Sequence, residues 1–331
     1  MKNIMKIVVI GSAGLLGVLA LALALSSIYQ VVASGRASSN YPPPGKKVDV
    51  GGYRLHFDCV GNGEPTILLE AGGGSFSLGW VSVQSAAANA TRTRVCSYDR
   101  AGLGWSDENP GPYSIAGEVE ALRRGLTVLG VTGKLVFVGH SYGGFMAQLY
   151  ASRFPQDVIG LVLVDPNTVT FFERNPFVLD KVHMQSRILR CAAPLGLVRW
   201  LAAGEFRESM RLPKDEDMQK IFDLTFATKH LRSQAVMLNE FSNSVGTMRA
   251  LDTGIDIPVT VLSRGKADQH FPWGDPTREA DWRTGHEQLV RNVKHGTLFT
   301  ADKSDHMILF DQPELIVESI KNMVNHARGS K

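Results

Sequence analysis

Leu135-Val136-Phe137-Val138-Gly139-His140-Ser141-Tyr142-Gly143-Gly144-Phe145-Met146-Ala147-Gln148-Leu149-Tyr150 is the stretch whose reading decides the fold. Leu135 to Val138 form a short apolar run of the kind that makes a buried strand, and Phe145 to Tyr150 have helical composition. Between them stands G-x-S-x-G. Chance supplies that pattern often enough that it means little alone. Flanked by a strand and a helix it becomes a sharp strand-to-helix turn that projects Ser141, with Gly139 and Gly143 at positions that leave no room for side chains.

A serine hydroxyl is a weak nucleophile and needs a base, itself oriented by a carboxylate. With the chain order serine, acid, histidine, His306 is the best-placed base. It follows the last strand-like run, in Ser304-Asp305-His306-Met307, and precedes the C-terminal helix. His140 adjoins Ser141 and reads as structural, whereas His270, His286, His295 and His326 read as solvated. Asp268, in Gly265-Lys266-Ala267-Asp268-Gln269-His270, is placed first as the acid. Asp165, before Pro166 at the end of the sixth strand, is the alternative. An oxyanion hole needs two backbone N–H donors. Tyr142 would supply one and Gly73, in Glu70-Ala71-Gly72-Gly73-Gly74-Ser75, the other, ahead of Gly74. No P-loop Lys-Ser/Thr follows these glycines, and no cofactor or metal is expected.

Outward from the turn, strand-like runs at Lys47–Val50, Tyr53–Cys59, Thr66–Leu69, Arg94–Tyr98, Leu135–Val138, Ile159–Val164, Val259–Leu262 and Thr297–Thr300 alternate with helical patterns. This predicts an α/β fold with a mostly parallel sheet of eight strands covered on both faces. The first two runs, joined by Gly51-Gly52, read as an antiparallel hairpin. Between Asn167 and Gly254 the alternation stops, which predicts a helical cap over residues 167–254 and a core of residues 47–166 and 255–331. Phe171, Phe172, Phe177, Trp200, Phe222 and Phe226 are candidates for an acyl pocket within the cap, or for its core.

Ile7 to Val32 are almost wholly apolar and long enough to cross a bilayer, which takes roughly 20 residues. Residues 1–33 are expected to form a transmembrane helix or signal anchor, and residues 34–46, with Pro42-Pro43-Pro44, a semi-rigid linker. Ala33-Ser34-Gly35 offers a cleavage site for the alternative, a secreted enzyme. Basic residues flank both ends, and the favoured orientation places the catalytic domain outside the cytoplasm. The rest of the chain carries no block of like charge, and 35 Lys+Arg against 32 Asp+Glu exclude a nucleic-acid-binding surface of the usual kind. Three cysteines do not make a zinc site. Cys59 and Cys96 form a bridge if their strands are neighbours, or remain free thiols. Oligomeric state is not legible.

Three segments, Leu68–Gly74, Tyr98-Asp99-Arg100-Ala101-Gly102-Leu103-Gly104-Trp105-Ser106 and Val138–Gly144, resemble the α/β-hydrolase superfamily. The resemblance runs from about Gly51 to Val324. It implies strand order 1-2-4-3-5-6-7-8, which makes the strands of Cys59 and Cys96 neighbours, and an architectural role for Asp99, Arg100 and Ser106. Ser141 stands where the haloalkane dehalogenases and epoxide hydrolases have an aspartate. The expectation is therefore a serine hydrolase cleaving a carboxylic ester, or a related acyl bond, of an apolar small molecule through an acyl-enzyme. Ala71-Gly72 departs from the His-Gly of many relatives. Peptidase activity of the iminopeptidase type, perhydrolase activity and a non-catalytic membrane-anchored binding protein are the other readings.

Overall fold

The structure, a computed structural model, describes residues 2–131, 133–202, 204, 215–251, 255–268 and 276–329. In chain order its elements are α1 (Lys2–Asn40), β1 (Lys46–Asp49), β2 (Arg54–Val60), β3 (Thr66–Glu70), α2 (Gln84–Thr91), β4 (Val95–Tyr98), α3 (Ile115–Val128), β5 (Leu135–His140), α4 (Tyr142–Arg153), β6 (Val158–Val164), α5 (Val169–Arg174), α6 (Phe177–Ala192), α7 (Leu197–Leu201), α8 (Asp215–Thr225), α9 (Thr228–Asn239), α10 (Phe241–Arg249), β7 (Pro258–Arg264), α11 (Pro276–Arg291), β8 (His295–Ala301), α12 (Ile308–Asp311) and α13 (Pro313–Gly329). The eight strands form one sheet in the order β1-β2-β4-β3-β5-β6-β7-β8. Strand β2 runs antiparallel to β1 and β4, and the remaining pairs are parallel.

Side chains alternate across a strand, so each central strand feeds two cores. Leu68, Phe137 and Leu161 face one side, against Val119 and Leu122 of α3 and Phe145 of α4. Ile67, Val136 and Val162 face the other, against Ala87 of α2 and Ile316 and Ile320 of α13. This double burial is why the central strands read as continuous apolar runs. Helices α5 to α10 lie between β6 and β7 in the chain, and within them α6 is tied to α9 by the Ser186 hydroxyl donating to the Ala235 carbonyl at 2.7 Å.

The expected linker takes a different form. Helix α1 continues through Ser34 to Asn40 rather than giving way to a tether. The reason is a stripe at helical spacing, Ser26, Gln30, Ser34 and Ala37, that docks on the cap. The Ser26 hydroxyl donates to the Leu195 carbonyl at 2.6 Å. Gln30 is fully buried, its amide NH2 donating to the Phe226 carbonyl at 2.7 Å while its carbonyl accepts from Arg199 Nε at 3.2 Å. Ser34 Oγ accepts from the Thr228 N–H at 3.1 Å, and Ala37 packs with Phe76, Trp105 and Ile221. From Val9 to Leu25 the helix is mainly apolar and exposed, and Val9–Asn40 is long and apolar enough to cross a membrane.

Cys59 and Cys96 stand directly opposite each other on β2 and β4 and are bonded, leaving Cys191 as the free cysteine. The bridge closes a loop of sequence separation 37, so Cys59→Ser/Cys96→Ser should lose about 2–4 kcal/mol of stability. A thiol titration of the denatured, unreduced protein is expected to find Cys191 alone; reactive Cys59 and Cys96 under those conditions would contradict the bridge.

Candidate active site

Strand β5 ends at His140 and helix α4 begins at Tyr142, so Ser141 is the single residue of the turn. Its backbone sits at φ 53°, ψ −117°, a conformation that costs an L-residue on the order of 1–3 kcal/mol and persists only when its surroundings enforce it. Three backbone hydrogen bonds do so. The Ser141 N–H donates to the Val164 carbonyl at 3.0 Å, and the Ser141 carbonyl accepts from Gly144 at 2.9 Å and Asn167 at 3.1 Å. The glycines are sterically required. A Cβ on Gly139 would lie 2.3 Å from the Gly143 carbonyl oxygen, one on Gly143 2.5 Å from the Glu70 carbonyl oxygen, and one on Gly144 2.5 Å from Pro166 Cβ.

Of the two candidate acids, Asp165 is the one the structure brings to His306. His306 Nδ1 donates to Asp165 Oδ2 at 2.6 Å, which leaves its other ring nitrogen to carry the exchangeable position. Asp165 also accepts from Arg264 through the backbone N–H at 3.0 Å and Nη1 at 2.9 Å, and from Trp282 Nε1 at 3.0 Å. Burial by itself would raise its pKa; the Arg264 charge and these hydrogen bonds outweigh it and hold the carboxyl below the usual range, ionised. Asp165 reaches this position because β6 lies between β5 and β7. His140 pairs with Val164 and Val164 with Leu262, which puts Asp165 one strand from Ser141 and beside Arg264. Asp268 is four residues past the end of β7; it is buried and lines the same cavity.

Around this pair the other histidines have structural partners. His140 Nε2 bonds the His306 carbonyl at 3.0 Å, and burial, reinforced by His306, drives its pKa down to about 3, so it is neutral and fixes the loop that carries His306. His286, expected to be solvated, is fully buried between Ser263 Oγ and the Pro166 carbonyl, both at 2.8 Å. His295 and His326 are exposed as expected. His270 lies outside the described residues.

The glycine loop after β3 is held from two sides. Arg100, buried, donates through Nη1 to Glu70 and to the Ala71 carbonyl, and through Nη2 to the Gly72 carbonyl at 2.5 Å. A trans peptide points its N–H away from its carbonyl, so the clamp on Gly72 aims the Gly73 N–H away from Arg100. Gly73 lies between cap and turn, where an added Cβ would be 3.2 Å from Met237 Cε and 3.7 Å from Tyr142 Cβ. The Tyr142 N–H is one of the donors left without a partner where a helix starts. The carbonyl of Gly74 accepts from His230 Nε2 of the cap at 2.8 Å, tying the loop to the cap. Neither His230 nor the Glu70–Arg100 pair was legible as part of a site. Asp99 and Ser106 bond backbone groups, in keeping with an architectural role.

Ser141, His306, Gly73 and Tyr142 line one cavity of about 520 Å³ between sheet and cap. Of the six candidate aromatics, Phe171, Phe172 and Phe226 line it, joined by Phe241 and by aliphatic residues of the cap. Phe222 is buried against Phe226, whereas Phe177 and Trp200 point outward, because each falls on the solvent side of its helix. Among the described residues no group of three or more His, Cys, Asp or Glu is arranged to hold a metal ion.

Glu118 of α3 is buried near Arg100, and burial, opposed by the Arg100 charge, raises its pKa to about 7 from 4.5. A raised folded-state pKa gives stability that is complete below the unfolded value and is lost as pH climbs through the folded one. Glu118→Gln should therefore gain on wild type between about pH 4.5 and 7, by on the order of 3 kcal/mol. Parallel melting-temperature profiles for the two proteins across that interval would refute the assignment.

The family model described as the alpha/beta hydrolase family matches residues 67–319. A thermophilic esterase from Thermogutta terrifontis superposes with a TM-score of 0.60 at 21% identity, covering 85% of this chain and 98% of its own. The enol-lactonase from Burkholderia xenovorans LB400 gives 0.60 at 19%, covering 85% and 100%. An uncharacterised protein of Schizosaccharomyces pombe is 27% identical over 64% of this chain and 40% of its own length. The chain spans at most 40% of the first curated relatives it matches. Sheet order, the turn at Ser141 and a family match across most of the sequence agree, and the chain belongs to the α/β-hydrolase family.

Proposed function

We propose that this hydrolase is a membrane-anchored serine esterase in which Ser141 attacks, His306 is the base, Asp165 orients His306, and the Gly73 and Tyr142 amides hold the oxyanion. The observation that carries the reading is the His306–Asp165 hydrogen bond, opening on the same cavity as a serine in a strained turn. His306 takes the hydroxyl proton of Ser141 as its oxygen bonds the ester carbonyl carbon. The same proton then passes to the departing alcohol, and water repeats the sequence to release the acid. The carbonyl oxygen gains its charge where two N–H donors meet. The apolar lining favours an ester with a hydrocarbon acyl part, and the esterase and lactonase among the structural neighbours act on bonds of this class.

Two features support an uncleaved anchor with the catalytic domain on the oxidising side. Cleavage after Ala33 would remove Ser26 and Gln30, stranding their buried partners on the cap. The Cys59–Cys96 bridge belongs to proteins that fold outside the reducing cytosol.

A fluorophosphonate probe should label the wild-type protein and leave Ser141→Ala unlabelled; equal labelling of the two would end the serine reading, and no labelling of either would favour a binding protein. Asp165→Asn should lower kcat about ten-thousandfold. A comparable loss from Asp268→Asn, with Asp165→Asn near wild type, would return the acid to Asp268. Arg100→Lys retains the charge but not the planar fork that grips two carbonyls. It should reduce kcat by about 10- to 100-fold with little change in KM, and a raised KM at full kcat would show that the clamp serves ground-state binding instead.

A further inference from the structure

We propose that the outward face of the cap segment 181–201 is a membrane-docking surface that rests in the lipid interface beside α1. The inference depends on reading α1 as a bilayer-spanning anchor. From Ile7 to Ser26 the helix is 20 residues long and, apart from its two serines and glycines, apolar; that length matches a hydrocarbon core of about 30 Å. Ser26 is also where α1 first bonds the cap, at the Leu195 carbonyl. The cap therefore begins where the bilayer ends.

What the cap presents at that level is apolar and basic. Trp200 and Leu201 of α7 are 66% and 84% exposed, and the Trp200 ring lies 5.9 Å from that of Tyr29 on α1. Paired aromatics of this kind favour the headgroup boundary. Met184, Ile188 and Cys191 form an exposed stripe along α6, flanked by exposed Lys181, Arg187 and Arg190. Residues 181–201 contain no Asp or Glu. An apolar stripe between basic flanks suits a helix lying in the interface of an anionic bilayer. The inner sides of the same two helices, through Val182, Leu189 and Val198, line the cavity. A single layer of helix thus separates the cavity from the lipid, and an amphiphilic ester dissolved in the bilayer is the substrate this placement serves.

Cys191, the free cysteine, places a reporter on the surface without any substitution. The full-length protein labelled there with the polarity-sensitive dye NBD is reconstituted into phosphatidylcholine vesicles with or without phosphatidylglycerol, and with or without lipids carrying a nitroxide near the headgroup. Co-flotation with the vesicles reports on α1; blue-shifted, nitroxide-quenched emission reports on the cap. The expected result is both, with stronger quenching when phosphatidylglycerol is present and weaker quenching in Trp200→Glu/Leu201→Glu. Flotation with emission unchanged from detergent-free solution would overturn the docking surface and leave the anchor standing. Absence from the vesicle fraction would remove the anchor and the docking surface together.

Discussion

The backbone of Ser141 is held at a positive φ by hydrogen bonds that come from outside its own turn. One runs to the end of β6 and one comes from Asn167, so the turn keeps its shape only when β5 and β6 are paired in register. The glycines at 139, 143 and 144 exist to let backbone from β3, α4 and the segment after β6 meet within van der Waals range of each other. A strained residue costs free energy, and it is the packing of three neighbouring strands that offsets it.

Two buried ion pairs extend this arrangement on either side of the serine. On one side Arg264 neutralises Asp165 and is itself paired with Glu279, so that the carboxylate facing His306 is ionised inside the protein. On the other, Arg100 balances Glu70 and turns the glycine loop. Burying such charges is rarely the cheapest way to stabilise a fold. Their geometry instead fixes two things that an apolar core would leave free, the tautomer of a histidine and the direction of a peptide N–H.

The cap and α1 form a further unit. Gln30 satisfies a cap carbonyl and an arginine at once, and Arg199, buried, joins Gln30 to Asp223. An apolar helix is thereby joined to the roof of the cavity by polar contacts that would be costly to break. The helix long and apolar enough to cross a membrane and the roof of the cavity are consequently one packed unit.

The sequence by itself determined the elements whose causes are local. Central strands buried on both faces must be apolar throughout, the turn at Ser141 must have glycine on either side, and a 20-residue apolar helix announces its length. That Ser141 and His306 share a cavity agrees with the sequence pattern, because each follows a strand. That Asp165 meets His306 was not legible, since Asp165 and Asp268 both follow strands, and what holds Asp165 in place is Arg264 and Trp282, 99 and 117 residues from it in the chain. The docking of Ser26, Gln30 and Ser34 was hidden likewise, because three small or polar residues on a helix carry no mark of partners 169 to 196 residues away. Tertiary structure alone decided these points: periodicity records which face of an element is buried, whereas a hydrogen bond or an ion pair depends on which distant group arrives there.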